Sequence, residues 1–166
     1  MSEKKYVFRN LEESPFYTVE KCAGGTGRIN NVTILGDEAM MPVPEGCRHL
    51  DDSESFDYVH ITELPVGAEI GEHPHEGNEQ FYLIVEGTGE VMLCGEVFPV
   101  KPWSIAMIKS GGSHGIRNTG DVPLKYVCVQ TQLSLRASQK YVQEKVDEFE
   151  AKKKAMLGLE GDTFSN

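Results

Sequence analysis

Residues 67–90 read GAEIGEHPHEGNEQFYLIVEGTGE, and this stretch decides how we expect the chain to fold. His73 and His75 are separated by one residue, so on a strand both imidazole rings leave the same face. Such a pair can hold one ion without help from distant parts of the fold. A third imidazole, His114, lies near the far end of the same region. The sequence therefore predicts one divalent-metal site, made of three imidazoles and a side-chain oxygen.

Short strands separated by turns are predicted on both sides of this stretch. Glycines mark several of the turns, as in Gly87-Thr88-Gly89 and Cys94-Gly95-Glu96. Regular strand spacing with glycine turns is typical of an antiparallel sandwich or barrel. The predicted strands are 6–8, 32–35, 58–64, 80–85, 90–94, 97–100, 104–108 and 124–131. The glycine-rich segment 23–28 lacks the Gly-Lys-Ser/Thr ending of a phosphate loop and is interpreted as a flexible turn.

The end of the chain has a different pattern. Between residues 138 and 157, apolar side chains recur at helical spacing on one face, and Gly158 fits a helix stop. A C-terminal α-helix is therefore predicted, packed on the barrel or on a second subunit. We expect one domain in three parts: N-terminal strands and a loop (1–56), the barrel core (57–131), and the helix with its tail (132–166).

Composition excludes several classes of partner. The chain has 166 residues with 16 basic and 26 acidic side chains, giving a net charge of −10. Nucleic acids and anionic membranes attract basic patches, so neither is expected as a partner. No apolar run approaches the roughly 20 residues of a membrane span, and no apolar stretch follows Lys4 and Lys5 as in a secretory signal. The four cysteines are far apart and form no C-x-x-C pair, so we expect reduced thiols in a cytoplasmic protein.

Two motifs together resemble those of the cupin superfamily. The first combines Gly67, His73-x-His75, Glu79-Gln80 and Gly87, and the second is Gly111-x-x-His114-x-x-x-Asn118. The resemblance implies an all-β fold, the double-stranded β-helix or jelly-roll barrel, in a single-cupin chain. It also implies one metal in the mouth of the barrel and a homodimer, with residues 1–35 as a possible swapped segment.

The resemblance implies a ligand set as well. Cupins usually bind metal through two histidines, a glutamate and a third histidine, which places His73, His75 and His114 in the site. Counting seven residues back from the turn glycine reaches Gln80, which we favour as the fourth ligand, whereas Glu79 is the alternative. Strand alternation does not choose between them, because both faces of the predicted strand 80–85 are apolar.

The choice of fourth ligand affects the expected chemistry. A neutral Gln80 leaves a bound Mn, Fe, Ni or Zn ion its full charge and favours Lewis-acid chemistry. We therefore expect an isomerase or lyase acting on a small, oxygen-rich substrate that is sugar-like or an organic acid. The alternatives are a non-catalytic module that binds metal or a small ligand, and an iron-dependent dioxygenase.

Three side chains are candidates for catalysis. Glu79, if it is not a ligand, and His60, on a predicted strand beside the first motif, are the evident proton-handling groups. Tyr82 shares a strand face with Gln80 and can donate a hydrogen bond to a substrate oxygen. Arg117, close to His114 in the sequence, is a further candidate for orienting a substrate carboxylate.

Overall fold

The structure is a computed structural model that describes residues 6–36, 43–47, 49, 53 and 55–132, together with 146, 147, 149 and 153. The chain divides into two compact units, Met1–Gln132 and Leu133–Asn166. The predicted C-terminal helix lies outside the described residues, apart from Val146, Asp147, Phe149 and Lys153, which have helical backbone. Within the described parts of the chain, no helix is long and apolar enough to span a membrane.

Strands are the main regular elements in the described part of the first unit. Three short 3-10 turns accompany them, at Leu11–Glu13, Cys22–Gly24 and Glu45–Cys47. The strands are β1 (Tyr17–Glu20), β2 (Arg28–Gly36), β3 (Phe56–Leu64), β4 (Glu69–Pro74), β5 (Asn78–Glu86), β6 (Gly89–Leu93), β7 (Glu96–Val100), β8 (Ile105–Ile108), β9 (Ser113–Arg117) and β10 (Leu124–Gln132).

The strands form two antiparallel sheets, one of six strands in the order β1-β2-β3-β10-β5-β8 and one of four in the order β4-β9-β6-β7. In β3 and β5, the buried side chains recur with a period of two, as expected where alternate side chains point inward. Leu64, Ile84, Ile116 and Leu124 lie in the resulting core and are almost fully buried. The predicted all-β, jelly-roll class is confirmed.

Most predicted strands are present, with shifted ends, and three further strands occur as β1, β4 and β9. The strand predicted over residues 6–8 is wrong, because this segment pairs with no strand and has no regular structure. Tyr6 and Phe8 are 70% and 81% exposed. Their apolar, aromatic pattern is therefore not explained by burial in the sheet.

The glycine-rich segment is a turn, as predicted, but it is held closely against the four-stranded sheet. The Thr26 amide donates to the Glu69 carbonyl at 3.1 Å, and the Glu69 amide donates back to the Thr26 carbonyl at 2.9 Å. A Cβ atom on Gly25 would lie 2.0 Å from the Glu69 carbonyl oxygen. Glycine is required here because two backbones approach too closely for any side chain.

Candidate metal centre

Two neighbouring strands bring the three predicted histidines together. His73 on β4 is directly opposite His114 on β9 in the strand register. His75 follows the end of β4 and continues the pairing, because its amide donates to the Gly112 carbonyl at 2.9 Å and its carbonyl accepts from the Gly111 amide at 2.7 Å. As a result, one nitrogen from each ring lies within 4.8 Å of the other two. Such a cluster can hold a metal ion.

Hydrogen bonds determine which ring nitrogen of His73 and of His75 is available to a metal ion. Nδ1 of His73 is 2.8 Å from the Gly71 carbonyl oxygen, and Nδ1 of His75 is 2.7 Å from Oδ1 of Asn78. Both oxygens are acceptors, so each Nδ1 carries the proton and donates it. Nε2 of each ring is then left with its lone pair, which is the form that binds metals.

The closest approach in the cluster joins Nε2 of His75 to Nε2 of His114 at 2.9 Å. Two bare lone pairs repel at this distance, so a proton or a cation must lie between them. Metal–imidazole bonds are about 2.0–2.1 Å long, and two of them at a right angle place their nitrogens about 3 Å apart. The observed spacing therefore fits two imidazoles on one metal ion.

Burial keeps these rings in the neutral, metal-binding form. The pKa of His114 falls from 6.5 to about 2, mainly because the ring is desolvated, and also because charge on His73 and His75 disfavours its protonation. The pKa of His75 is lowered for the same first reason, although its hydrogen bond to Asn78 acts in the opposite direction. At neutral pH, neither ring must lose a proton before it can bind a metal.

The structure separates Gln80 from Glu79. Gln80 is buried, lies on the same face of β5 as the buried Tyr82, and lines the same cavity as His73. Glu79 is half-buried and lies on the opposite face of β5. Of these two side chains, Gln80 is therefore the one that lines the cavity.

Tyr82 lies against the third histidine. Its ring stacks on that of His114, with centroids 4.6 Å apart, and its hydroxyl is 3.1 Å from Nε2 of His114. The predicted position of Tyr82 on the inner face of β5 is observed. The hydroxyl is close enough to contact whatever is bound at the histidine cluster.

A cavity of about 40 Å³ extends from His73 toward the six-stranded sheet. His60 lines it, as one sequence hypothesis allowed, and stacks on Tyr58 with centroids 4.3 Å apart. Burial lowers the pKa of His60 from 6.5 to about 4, so its ring is neutral at pH 7. Lysine, arginine and carboxylate side chains are absent from the described lining.

Several polar side chains at this site were not predicted. Tyr58 and Thr62 alternate with His60 on the inner face of β3, and Asn31 of β2 completes the polar part of the lining. The period-two alternation around His60 is the sequence signal that could have found two of them. The position of Asn78, three residues after His75, gave no comparable signal.

Arg117 is occupied elsewhere. Its Nη2 atom lies 2.5 Å and its Nε atom 2.7 Å from Oε2 of Glu90 on the neighbouring strand. Its guanidinium therefore forms an ion pair across the sheet, and the described cavity lining does not include it. The sequence hypothesis that Arg117 orients a substrate has no support in this geometry.

A small double-stranded β-helix with three convergent histidines that could hold a metal ion defines a class of small barrel domain. Comparison with known proteins is consistent with this class: residues 60–130 match the family model described as a cupin domain. An oxalate-binding protein of Thermotoga maritima is 30% identical over 123 residues, covering 74% of this chain and 91% of the relative. The chain belongs to the cupin family.

Two further similarities vary in extent. The crystal structure of a predicted oxalate decarboxylase from Thermotoga maritima has a TM-score of 0.65 and 27% identity, and covers 76% of this chain and 100% of that one. A 5-nitrosalicylic acid 1,2-dioxygenase of Bradyrhizobium is 42% identical over 55 residues, which are 33% of this chain and 26% of the dioxygenase. The first similarity covers three quarters of this chain, and the second is local.

Proposed function

We propose that this chain binds one divalent transition metal, Mn, Fe, Ni or Zn, through Nε2 of His73, His75 and His114. Gln80 is the proposed fourth side chain. The observation that carries the proposal is the convergence of three imidazoles, two of them with Nδ1 already committed to a protein acceptor. Nitrogen-rich sites of this kind suit first-row transition metals better than Mg or Ca.

We further propose that the metal holds a small organic acid of the oxalate type in the cavity. A bound metal supplies a Lewis acid that polarises a coordinated oxygen. The described lining contains no lysine or arginine, so the metal is the cation available to a ligand carboxylate. This class of ligand is supported by the similarity to the oxalate-binding protein of Thermotoga maritima and to the predicted oxalate decarboxylase structure from the same organism.

The proposed reaction class is lyase or isomerase chemistry on this ligand. Tyr82 can donate its hydroxyl proton in a hydrogen bond to a ligand oxygen, and neutral His60 can accept a proton from the cavity side. Glu79 is the weakest of the three catalytic candidates, because its side chain lies on the other face of β5. Binding without turnover is the second candidate function, favoured by the relative named as oxalate-binding.

Metal analysis combined with oxalate titration tests the proposal. We expect purified protein loaded with Mn(II) to hold one metal per chain and to bind oxalate in calorimetry, whereas metal-free protein binds none. His73→Gln should abolish both effects, because His73 is half-buried and its loss removes one ligand at little cost to the core. His49→Gln, at a half-buried histidine outside the cluster, is the matched control.

The outcomes separate the candidate functions. Oxalate consumption by the loaded protein supports a lyase, and binding without consumption supports the binding module. Oxygen uptake by the anaerobically iron-loaded protein would instead support a dioxygenase, to which the local similarity points. Oxalate binding that is equal with and without metal would contradict the proposal.

A homodimer in the cytoplasm is also proposed. β8 is an edge strand, and Trp103, Ile105 and Met107 on or beside it are 78%, 69% and 48% exposed. An exposed apolar edge strand invites pairing with a second chain. The four cysteines are far apart in the sequence and form no C-x-x-C pair, which suits a reducing compartment. Sedimentation should give a dimer that Ile105→Lys weakens; a wild-type monomer at micromolar concentration would contradict this.

A further inference from the structure

Gln80 is the last member of a hydrogen-bonded chain that crosses three strands. Tyr58 of β3, Gln130 of β10 and Gln80 of β5 are direct neighbours in the strand register. Gln130 Oε1 accepts from the Tyr58 hydroxyl at 2.9 Å and from Nε2 of Gln80 at 3.0 Å. Nε2 of Gln80 also donates to the Tyr58 hydroxyl oxygen. Nε2 of Gln130 donates to Oδ2 of Asp57 at 3.0 Å.

The chemistry of these groups gives the chain a direction. The Asp57 carboxylate can only accept hydrogen bonds, so Gln130 must turn its NH₂ group toward it. Gln130 therefore presents its carbonyl oxygen to Tyr58 and Gln80, which must both donate. With its own NH₂ group used in this way, Gln80 has its amide oxygen left for the cavity. An amide orientation is assigned from the network around it, and here every partner agrees.

We propose that Asp57 and Gln130 are positioning residues that hold the Gln80 amide with its oxygen toward the cavity. They also specify an amide rather than a carboxylate at position 80. The orientation follows from the hydrogen bonds alone, whereas its use by a metal ion rests on the proposed function. This hydrogen-bonded arrangement accounts for a neutral side chain at the position where cupin sequences favour a carboxylate.

A glutamate at position 80 would be incompatible with these hydrogen bonds. A carboxylate has no proton to donate, so it would face the Gln130 carbonyl oxygen across the same 3.0 Å gap. The Tyr58 hydroxyl can donate to only one of the two oxygens, which leaves a buried acceptor without a donor. Rotation of Gln130 would relieve the conflict, but its NH₂ group would then leave Asp57.

Asp57→Asn removes the constraint that prevents this rotation. Asparagine can donate as well as accept, so Gln130 can turn its oxygen toward residue 57 and its NH₂ group toward residue 80. Q80E and D57N should therefore be coupled. A double-mutant cycle measures such coupling directly, and it can be run on the metal-free protein.

The expected result is that Q80E raises the equilibrium constant for unfolding of the metal-free protein by about 10-fold or more. The double variant Q80E/D57N should recover most of the stability that Q80E loses. The matched control is Q80E/E63Q. Glu63 is a half-buried carboxylate on β3, as Asp57 is, but it takes no part in the hydrogen bonds that join Asp57, Gln130, Tyr58 and Gln80. E63Q should therefore recover none of the stability lost in Q80E. Simple additivity of Q80E and D57N would overturn the proposal.

A second measurement keeps the proposal testable if Q80E does not fold. In ¹⁵N spectra of the metal-free protein, D57N should speed the exchange of the Gln80 side-chain amide protons by about 10-fold, because their acceptor can now rotate away. E63Q should leave that exchange unchanged. Unchanged exchange in D57N would overturn the proposal even if the metal site proved correct, and loss of metal binding alone would affect only the proposed function.

Discussion

At the scale of single residues, the candidate site depends on where each imidazole proton is held. Oδ1 of Asn78 accepts a hydrogen bond from Nδ1 of His75 at 2.7 Å, and the Gly71 carbonyl oxygen accepts one from Nδ1 of His73 at 2.8 Å. This frees both Nε2 atoms and also fixes the planes of the rings. Replacing a group that orients a ligand in this way typically lowers metal affinity by about 10–100-fold.

Replacing Asn78 should therefore weaken metal binding without removing a ligand. We expect Asn78→Ala to lower the affinity for Zn(II) by about 10–100-fold, because His75 loses the acceptor that sets its tautomer. Competition with a chromophoric chelator measures the affinity. Asn30→Ala, which removes an asparagine bonded to Glu63 on the sheet, is the control and should have no effect. Equal affinities for the two variants would contradict the role given to Asn78.

His60 should make the stability of the metal-free protein depend on pH. Its pKa is 6.5 unfolded and about 4 folded, because burial disfavours the charged ring. Between these values the unfolded chain binds a proton that the folded chain does not, so stability is complete above pH 6.5 and falls as the pH drops toward 4. The loss from this group is about 3 kcal/mol at most. Denaturant unfolding at several pH values should show a shallower fall in His60→Gln; equal slopes would contradict the assignment.

At the scale of strands, the sequence predicted the histidines better than the elements that carry them. β4 and β9 were not among the predicted strands, because β4 is rich in charged and histidine residues and β9 contains a central glycine. Their strand structure comes from pairing with each other, which no local pattern shows. The meeting of His73 with His114 is a consequence of that pairing.

The orientation of β5 was unpredictable for a different reason. Phe81 and Leu83, on the face away from the cavity, are as apolar as the inward Tyr82 and Ile84. Alternation of apolar and polar residues normally sets the face, and here it is missing. The inward position of Gln80 became evident only from its burial, although counting from the turn at Gly87 had favoured it.

The contact between the glycine-rich turn and β4 should be essential to the site. Gly25→Ala would place a Cβ atom 2.0 Å from the Glu69 carbonyl oxygen, so the turn or the strand must move. We expect a loss of about 2 kcal/mol or more in the free energy of unfolding, together with weaker metal binding. Gly46→Ala is the control, since no atom lies within 4 Å of its added Cβ. Equal unfolding midpoints in the two variants would contradict the close packing.

At the scale of the whole strand unit, the proposed ligands come from both sheets. His73 and His114 belong to the four-stranded sheet, whereas Gln80 belongs to β5 of the six-stranded sheet. A metal bound by all of them would cross-link the two layers of the barrel. It would then stabilise the fold as one unit rather than ordering a loop.

Metal should therefore raise the stability of the entire strand unit. At a free metal concentration 100 times the dissociation constant, the gain in free energy of unfolding is about 2.7 kcal/mol. Thermal unfolding followed by circular dichroism should show this gain in the wild type. In His73→Gln, the same metal concentration should produce no comparable shift. A shift of equal size in that variant would place the stabilising site elsewhere.

The most direct test of the central claim is an anomalous-scattering map from crystals of the protein loaded with Zn(II) or Mn(II). We predict one strong peak per chain, about 2.0–2.3 Å from Nε2 of each of His73, His75 and His114. A side-chain oxygen of Gln80 should face the same peak. A map with no peak among the three histidines, collected at saturating metal, would show that these histidines do not form a metal site.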